Sequence, residues 1–227
     1  MPHKRVASGI YLVGGESLTY PSDCLVYLVA GPPVLLIDAG ANRVARRLLD
    51  NIAETGIDPL DITYCLLTHG HVDHIGGAHS VREAAGCSLA AHEDDAAAIQ
   101  SGDPVRTAAN WYNIKLPKIQ IDEVLYGEEG ELAGVNWLHT PGHTPGSLSA
   151  WLDADDGRIL FAQDVHGPFA PEFGSDLDAW RISMEKLLAL DADILCEGHN
   201  GVYRGKAEVA RYIHSQLEAN FSVSPAT

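Results

Sequence analysis

The six residues HGHVDH, from His69 to His74, decide how the rest of this sequence is interpreted. They place three imidazoles and one carboxylate directly after Ile62–Leu67, an apolar run that predicts a buried strand. A loop that follows a strand can direct several side chains at one point. The spacing of two between His69 and His71 lets extended backbone project both rings to the same side. Imidazoles combined with a carboxylate suit Zn, Fe, Mn or Co rather than Ca, so this segment predicts a metal site.

Four more His or Asp residues stand at the ends of predicted strands. Asp38 ends the apolar run VLLID, and Asp164 ends RILFAQD. His199 closes the run DILCEGH, and His143 lies in TPGHTPGS between two predicted strands. Because each follows a strand, as His69 does, we expect these groups to form one polar rim on an apolar scaffold.

Helical and strand patterns alternate along the chain. An amphipathic helix is predicted from Asn42 to about Glu54, another over Leu177–Leu190 and a terminal one over Lys206–Asn220. Strands occur both in hairpin-like runs and in helix-linked units, which is typical of layered sheets covered by helices. No repeat, low-complexity tract or linker interrupts residues 1–227, so we expect a single α/β domain.

The composition disfavours several classes of protein. Of the 227 residues, 46% are hydrophobic and 20% are charged, as in ordinary globular proteins. The formal net charge of −16, without a dense basic patch, disfavours binding to nucleic acid or to an anionic membrane. No apolar run approaches the roughly 20 residues of a membrane span, and the first residues do not resemble a signal peptide. Four scattered cysteines without a CxxC pair indicate reduced thiols, and we predict a cytoplasmic protein.

Taken together, these motifs resemble those of the metallo-β-lactamase-fold hydrolases. The resemblance covers nearly the whole chain, in the order IDAG, HGHVDH, TPGHTPGS, a strand-final Asp and a late Gly-His pair. It implies a four-layer αββα sandwich with a metal site along one edge. By this resemblance a first metal is held by His69, His71 and His143, a second by Asp73, His74 and His199, and Asp164 bridges both.

Two divalent metal ions are therefore the expected cofactors. Zinc is the first choice, and iron or manganese would also suit this ligand set. Asp73 and Asp164 are assigned as the catalytic carboxylates, because Asp164 can offer one oxygen to each ion and Asp73 can orient the nucleophile. Asp38 is expected to accept the free N–H of a ligand histidine and fix its tautomer, although it could instead cap the following helix.

The resemblance also implies a reaction. A dinuclear site lowers the pKa of bound water toward neutrality and so makes hydroxide available for attack on a carbonyl. The complete ligand set resembles that of hydroxyacylglutathione hydrolases, the glyoxalase II group, which implies a thioester or ester of a small metabolite. Enzymes of that group carry a C-terminal helical extension that helps to bind glutathione, whereas only enough chain for one helix follows His199.

Two alternative activities stay open. Sulfur dioxygenases share much of the ligand pattern but use one iron, held by two His and one Asp, to oxidise a glutathione persulfide. A lactonase or β-lactamase-like hydrolase is the other alternative. Lactonases of this fold place a Tyr where Gly167 stands, and true metallo-β-lactamases generally lack the bridging Asp.

Large side chains outside the ligand set are candidates for the substrate pocket. Aromatic groups beside metals exclude water and can hold an acyl or thiol group. We expect a small-molecule substrate as the partner, with neither nucleic acid nor a membrane, and a homo-oligomer is compatible with the sequence. The candidate pocket residues are Trp111, Tyr112, His166, Phe169 and Phe173.

Overall fold

Two β-sheets form the centre of the molecule in a computed structural model that describes residues 2–41 and 44–221. The strands of the first sheet are β1 (Lys4–Ala7), β2 (Ile10–Gly14), β3 (Val26–Val29), β4 (Val34–Ile37), β5 (Ile62–Leu66), β6 (Ser88–His92) and β7 (Glu123–Leu125). They lie in sequence order, antiparallel from β1 to β4 and parallel from β4 to β7.

The second sheet follows in the chain. Its strands are β8 (Glu129–Leu132), β9 (Val135–His139), β10 (Leu148–Ala154), β11 (Gly157–Ala162), β12 (Ile194–Glu197) and β13 (Val202–Arg204). Their spatial order is β13-β12-β11-β10-β9-β8, and only β11 and β12 are parallel neighbours among the described strands of this sheet.

Helices cover the sheets: α1 (Arg46–Ala53), α2 (Val72–Ile75), α3 (Ala78–Ala85), α4 (Glu93–Ser101), α5 (Leu177–Ala189) and α6 (Lys206–Phe221). Asn42, where the sequence predicts that the first helix begins, lies outside the described residues, and α1 is observed from Arg46. The helix α5 begins where the Asp176 carboxylate accepts hydrogen bonds from two backbone N–H groups of the first turn. Within the described ranges, no helix combines the length and the apolarity needed to cross a bilayer.

Alternation along the central strand of the first sheet separates two buried layers. In β4, Leu35 and Ile37 belong to the cluster between the two sheets. Val34 and Leu36 point the other way and join a cluster that includes side chains of α1, α3 and α4. Because both faces are buried, this strand is apolar throughout, as the run VLLI in the sequence indicates.

The second sheet repeats this division on its own outer face. In β11, Phe161 packs between the sheets, whereas Leu160 joins a cluster with Trp180 of α5 and Ile213 of α6. The order of layers is therefore helices, sheet, sheet, helices. This confirms the predicted four-layer αββα sandwich.

Three strands that the sequence analysis does not predict are the outermost strands of their sheets. They are β1, β8 and β13, and each carries partly or fully exposed residues. An edge strand has one unpaired side, so short and polar sequences are favoured there. Such sequences show little hydrophobic alternation, and hydrophobic periodicity therefore does not predict these three strands.

The parallel strand pairs bring the polar strand ends to one edge of the molecule. Because β4 and β5 are parallel, Asp38 and the segment after Leu66 leave the first sheet at the same end, and the Asp38 N–H donates to the Leu66 carbonyl at 2.9 Å. The parallel pair β11 and β12 places Asp164 near His199 in the same way. Both groups of strand ends meet at this edge.

Candidate metal centre

The loop between β5 and α2 supplies ligand side chains from two kinds of backbone. His71 has an extended backbone (φ −75°, ψ 146°) and immediately precedes α2, whereas Asp73 and His74 lie within that short helix. The rings of His69 and His71 lie 4.8 Å apart, edge to face. A change of backbone conformation within six residues therefore directs four side chains into one region.

The first ligand set consists of His69, His71 and His143 together with Asp164. His143 Nε2 lies 2.8 Å from His71 Nδ1 and 3.2 Å from Asp164 Oδ2. His69 Nε2 lies 3.6 Å from the same carboxylate oxygen. All four residues are buried, so these polar atoms converge in a region with little access to solvent.

The second ligand set consists of Asp73, His74 and His199 together with Asp164. His74 Nε2 lies 3.3 Å and His199 Nε2 lies 3.2 Å from Asp164 Oδ1. His199 Nε2 is also 3.3 Å from Asp73 Oδ2. One oxygen of Asp164 thus faces the first set and the other faces the second, which is the arrangement that a bridging carboxylate requires.

The donor atoms of these two sets fit divalent metal ions. In each set the potential ligand atoms lie within 4.8 Å of one another. His69 Nε2 and Asp164 Oδ1 are buried and have no hydrogen-bond partner among the described residues, although buried polar groups are normally paired. Imidazole and carboxylate donors that converge in this way suit zinc and similar transition metals. The structure brings all seven predicted ligands together, and their role in metal binding stays a prediction.

The ionisation of the residues is consistent with a cation between the two sets. Burial, helped by neighbouring imidazoles, lowers the pKa of His69 and of His71 well below the usual value, which leaves neutral rings with free lone pairs. Burial alone would lower the pKa of His199 as well, but Asp164 and Asp73 outweigh it and raise the pKa to about 10. The carboxylates of the second set therefore attract positive charge, which a divalent ion would supply.

Two ligand histidines are oriented through their second ring nitrogen. His74 Nδ1 donates to Asp38 Oδ2 at 2.8 Å, and His143 Nδ1 donates to the Pro168 carbonyl at 2.9 Å. In both rings this leaves Nε2 to face the metal position. Asp38 also accepts hydrogen bonds from the backbone N–H and the hydroxyl of Thr68, so the structure places it as the sequence predicts, against a ligand histidine.

Asp38 and Asp164 share an uncommon backbone conformation. Asp38 directly follows β4 and Asp164 lies two residues after β11, and each has a positive φ, 63° for Asp38 and 51° for Asp164. Left-handed backbone is unfavourable for most L-residues, and Asp tolerates it better than most of them. The turn sends each carboxylate back toward the histidines, and no feature of the sequence alone indicates it.

Asp95 is a site residue that the sequence analysis misses. It lies in the first turn of α4 and is 4% exposed. Its carboxylate accepts hydrogen bonds from the Gly70 N–H at 2.8 Å, the Thr144 hydroxyl at 2.6 Å and the Gly146 N–H at 3.0 Å. It therefore joins the loop of His69 and His71 to the loop of His143. The run Glu93-Asp94-Asp95 looks like an ordinary acidic helix start, which hides the buried member.

Glu197 is the second missed residue. It is fully buried at the end of β12, where one oxygen accepts from His166 Nδ1 at 2.9 Å and the other from the His199 N–H at 2.7 Å. Burial lowers the pKa of His166, but Glu197 outweighs this effect and the pKa is raised. A carboxylate inside the apolar run DILCEGH is the sequence signal that could have identified it.

A small cleft opens above the ligand residues. Of the candidates for the pocket, Trp111, Tyr112, His166 and Phe173 line it. Phe169 does not line it, because its ring packs against Trp180 in the layer beneath the second sheet, with ring centroids 5.1 Å apart. Burial and the neighbouring Asp73 carboxylate raise the pKa of Tyr112, so its hydroxyl stays protonated beside the second set.

The sequence also matches a model of a known protein family. Residues 19–199 match the model described as the metallo-beta-lactamase superfamily. The chain belongs to this superfamily. The matched region runs from the segment between β2 and β3 to His199, so it contains all seven predicted ligands.

Curated relatives of the chain include an uncharacterized protein and a probable metallo-hydrolase. An uncharacterized protein of Mycobacterium leprae is 31% identical over 194 residues, which cover 78% of this chain and 86% of that protein. The probable metallo-hydrolase YflN of Bacillus subtilis is 28% identical over 206 residues, which cover 76% of this chain and 77% of that protein. The sequence-based prediction of a metallo-hydrolase of this superfamily is supported at this level.

Solved structures share the fold. A metallo-beta-lactamase from Cronobacter sakazakii superposes with a TM-score of 0.81 at 23% identity, covering 97% of this chain and 93% of that one. A subclass B3 metallo-beta-lactamase of Bradyrhizobium japonicum gives a TM-score of 0.77 at 23% identity, with coverage of 97% and 92%. At this level of identity the similarity establishes the architecture only, and the substrate has to be inferred from the site.

Proposed function

We propose that this protein is a hydrolase that holds two divalent metal ions, with zinc as the first choice, and cleaves a thioester or ester of a small metabolite. The observation that carries the proposal is the position of Asp164, whose two carboxylate oxygens face two separate sets of histidines at 3.2–3.6 Å. Ions bound there would supply Lewis acidity and a water of lowered pKa.

The residues of the chain contribute position and exclusion of solvent. Asp73 borders the cleft and can accept a hydrogen bond from the attacking water, which orients it toward a carbonyl bound above the first set. Asp38 and the Pro168 carbonyl hold two ligand rings in a fixed orientation, so the ligand atoms need little rearrangement. The residues of the two ligand sets are mostly buried, so they keep bulk water away from the reacting groups.

A hydrolase with two metal ions would use both ligand sets, whereas an oxygenase with one iron would use only one of them. A sulfur dioxygenase needs one iron, held by two His and one Asp. Here Asp73, His74 and His199 converge on the second oxygen of Asp164, which a single ion would leave without use. We therefore propose hydrolysis. From the composition of the sequence we also propose a small molecule as the partner and the cytoplasm as the location.

The test is hydrolysis of a panel of thioesters, esters, lactones and a persulfide by the protein as purified. We expect turnover of a thioester or ester, no consumption of oxygen, and loss of turnover in His71→Gln. His79→Gln is the matched control, because His79 is exposed and lies outside both sets. Oxidation of the persulfide with consumption of oxygen, or equal turnover by His71→Gln and wild type, would contradict the proposal.

A further inference from the structure

The cleft above the ligand residues has two chemically different walls. On the side of the first set, the ring of Trp111 packs on Phe173 with centroids 4.6 Å apart, and Phe173 packs on His71 at 4.4 Å. On the side of the second set, His166 faces His199 with ring centroids 5.5 Å apart. We call the first side the aromatic wall and the second side the polar wall.

The polar wall is held by a hydrogen bond to a buried carboxyl group, and the aromatic wall is held by packing. His166 Nδ1 donates to the fully buried Glu197 at 2.9 Å, which fixes the ring against β12. Phe173 is 1% exposed, but Trp111, which covers it, is 53% exposed. The outer end of the aromatic wall can therefore change without disturbing the core.

The cleft is small, and its aromatic wall is formed by uncharged rings. Its volume is about 180 Å³, below the roughly 300–1,000 Å³ of pockets that enclose drug-sized ligands. Among the described residues that line it, none is Lys or Arg. An anionic group placed against the aromatic wall would lose hydration without gaining a partner there, and a cationic group would regain only part of its hydration energy from the ring faces. A short apolar group would gain contact area.

We infer that the aromatic wall is the acyl subsite and that it accepts a short, uncharged acyl chain, with the leaving group directed past the polar wall. This inference rests on the proposed function and specifies its substrate class. Trp111 closes the far end of the acyl subsite and so limits the length of the chain. The geometry thus assigns Trp111 as a residue that determines specificity.

The first test measures kcat/KM for 4-nitrophenyl acetate, butyrate, hexanoate and octanoate. We expect the wild type to show a higher kcat/KM for the short esters than for the long ones. In Trp111→Ala, the ratio of kcat/KM for octanoate to that for butyrate rises about tenfold, because the end of the subsite is opened. Trp111→Phe keeps an aromatic end and shows a smaller rise. Tyr126→Ala is the matched control, since Tyr126 is an exposed aromatic residue that does not line the cleft.

A second series varies the charge of the acyl and leaving groups. Butyryl, succinyl and aminobutyryl thioesters of N-acetylcysteamine compare acyl charges, and the butyryl thioester of glutathione changes only the leaving group. We expect the wild type to show a higher kcat/KM for the butyryl thioester than for either charged acyl thioester. Trp111→Ala leaves the ratio between the two leaving groups unchanged, because Trp111 lies on the acyl side.

Binding without reaction separates this inference from the proposed function. Line broadening of 2-alkanones of matched length in NMR spectra reports occupation of the acyl subsite whether or not any ester is cleaved. Preferential binding of short ketones without any hydrolysis would overturn the proposed function and leave the subsite intact. Hydrolysis with equal preference for short, long and charged acyl groups, or an unchanged length profile in Trp111→Ala, would overturn the inference.

Discussion

The floor and the walls of the cleft are built in different ways. The seven floor residues are the members of the two ligand sets, and all except His199 are buried. Among the described residues that line the cleft above this floor, Phe173 is buried, whereas Trp111 is 53% and Tyr112 is 39% exposed. The floor is restrained by hydrogen bonds that ring N–H groups donate to Asp38 and Pro168, whereas the aromatic wall is restrained by ring packing.

This difference separates the chemistry from the selectivity. A buried polar network depends on every partner, because an unpaired group in it costs desolvation energy. A half-exposed aromatic ring can be exchanged at small cost to the fold, since surface substitutions usually change stability by about 0.5 kcal/mol or less. We therefore expect changes in the floor to remove activity, and changes in the walls to alter which substrate is used.

Asp164→Asn is the change expected to have the largest effect. The amide keeps the size of the side chain but removes the negative charge shared by the two ligand sets. Activity on the best ester should fall by about 1,000-fold, since Lewis-acid stabilisation contributes several kcal/mol to the barrier. Steady-state kinetics at fixed metal concentration measures the loss. A decrease of less than about tenfold would show that the floor does not need a bridging carboxylate.

Asp38→Asn tests the support beneath the floor. The substitution weakens the hydrogen bond that fixes the His74 ring, while the ligand atoms themselves remain. Turnover should fall about 10–100-fold with most of the metal retained, as for other partners of ligand histidines. Asp61→Asn, at an exposed carboxylate, is the control for general effects of lost charge. An unchanged turnover would show that Asp38 serves only the fold.

Asp95→Asn tests the connection between two ligand loops. The carboxylate of Asp95 accepts from the N–H groups of Gly70 and Gly146, and an amide can accept with only one of its two end atoms. The variant would therefore lose its hydrogen bond to one of the two loops. We expect about a tenfold weaker affinity for one of two zinc ions, measured by competition with a chelating dye. Asp94→Asn, next in sequence with a half-exposed side chain, should not change either affinity. Equal weakening of both sites would indicate general loosening rather than loss of this connection.

Tyr112→Phe, at another residue that lines the cleft, is the change expected to have the smallest effect. It removes one hydroxyl beside Asp73 and keeps the ring that lines the cleft. A single lost hydrogen bond corresponds to roughly a fivefold change, and we expect it in KM rather than in kcat. Full kinetic curves for wild type and variant separate the two parameters. A kcat lowered about 100-fold would show that Tyr112 takes part in the reaction itself rather than only lining the cleft.

The convergence of the seven predicted ligands follows from local rules of the sequence. His69, His143 and His199 each follow a run that predicts a strand, and the parallel pairs in both sheets then bring the strand ends to one edge. The central strands are also predictable, since burial on both faces makes β4 continuously apolar.

The features that the sequence does not predict depend on distant partners. The edge strands β1, β8 and β13 carry too few buried residues to show a pattern. Asp95 resembles its exposed neighbours until the fold buries it against Gly70. Phe169 lies in the same segment as Phe173, but its ring packs on Trp180 of α5 and therefore faces the core.

The most direct test of the central claim is the metal content per chain of the purified wild type and of Asp164→Asn, measured by elemental analysis. The account predicts two divalent ions in the wild type and no more than one in the variant, because the two ligand sets share this carboxylate. A single iron in the wild type, or two ions retained in the variant, would contradict the claim that Asp164 joins two metal positions.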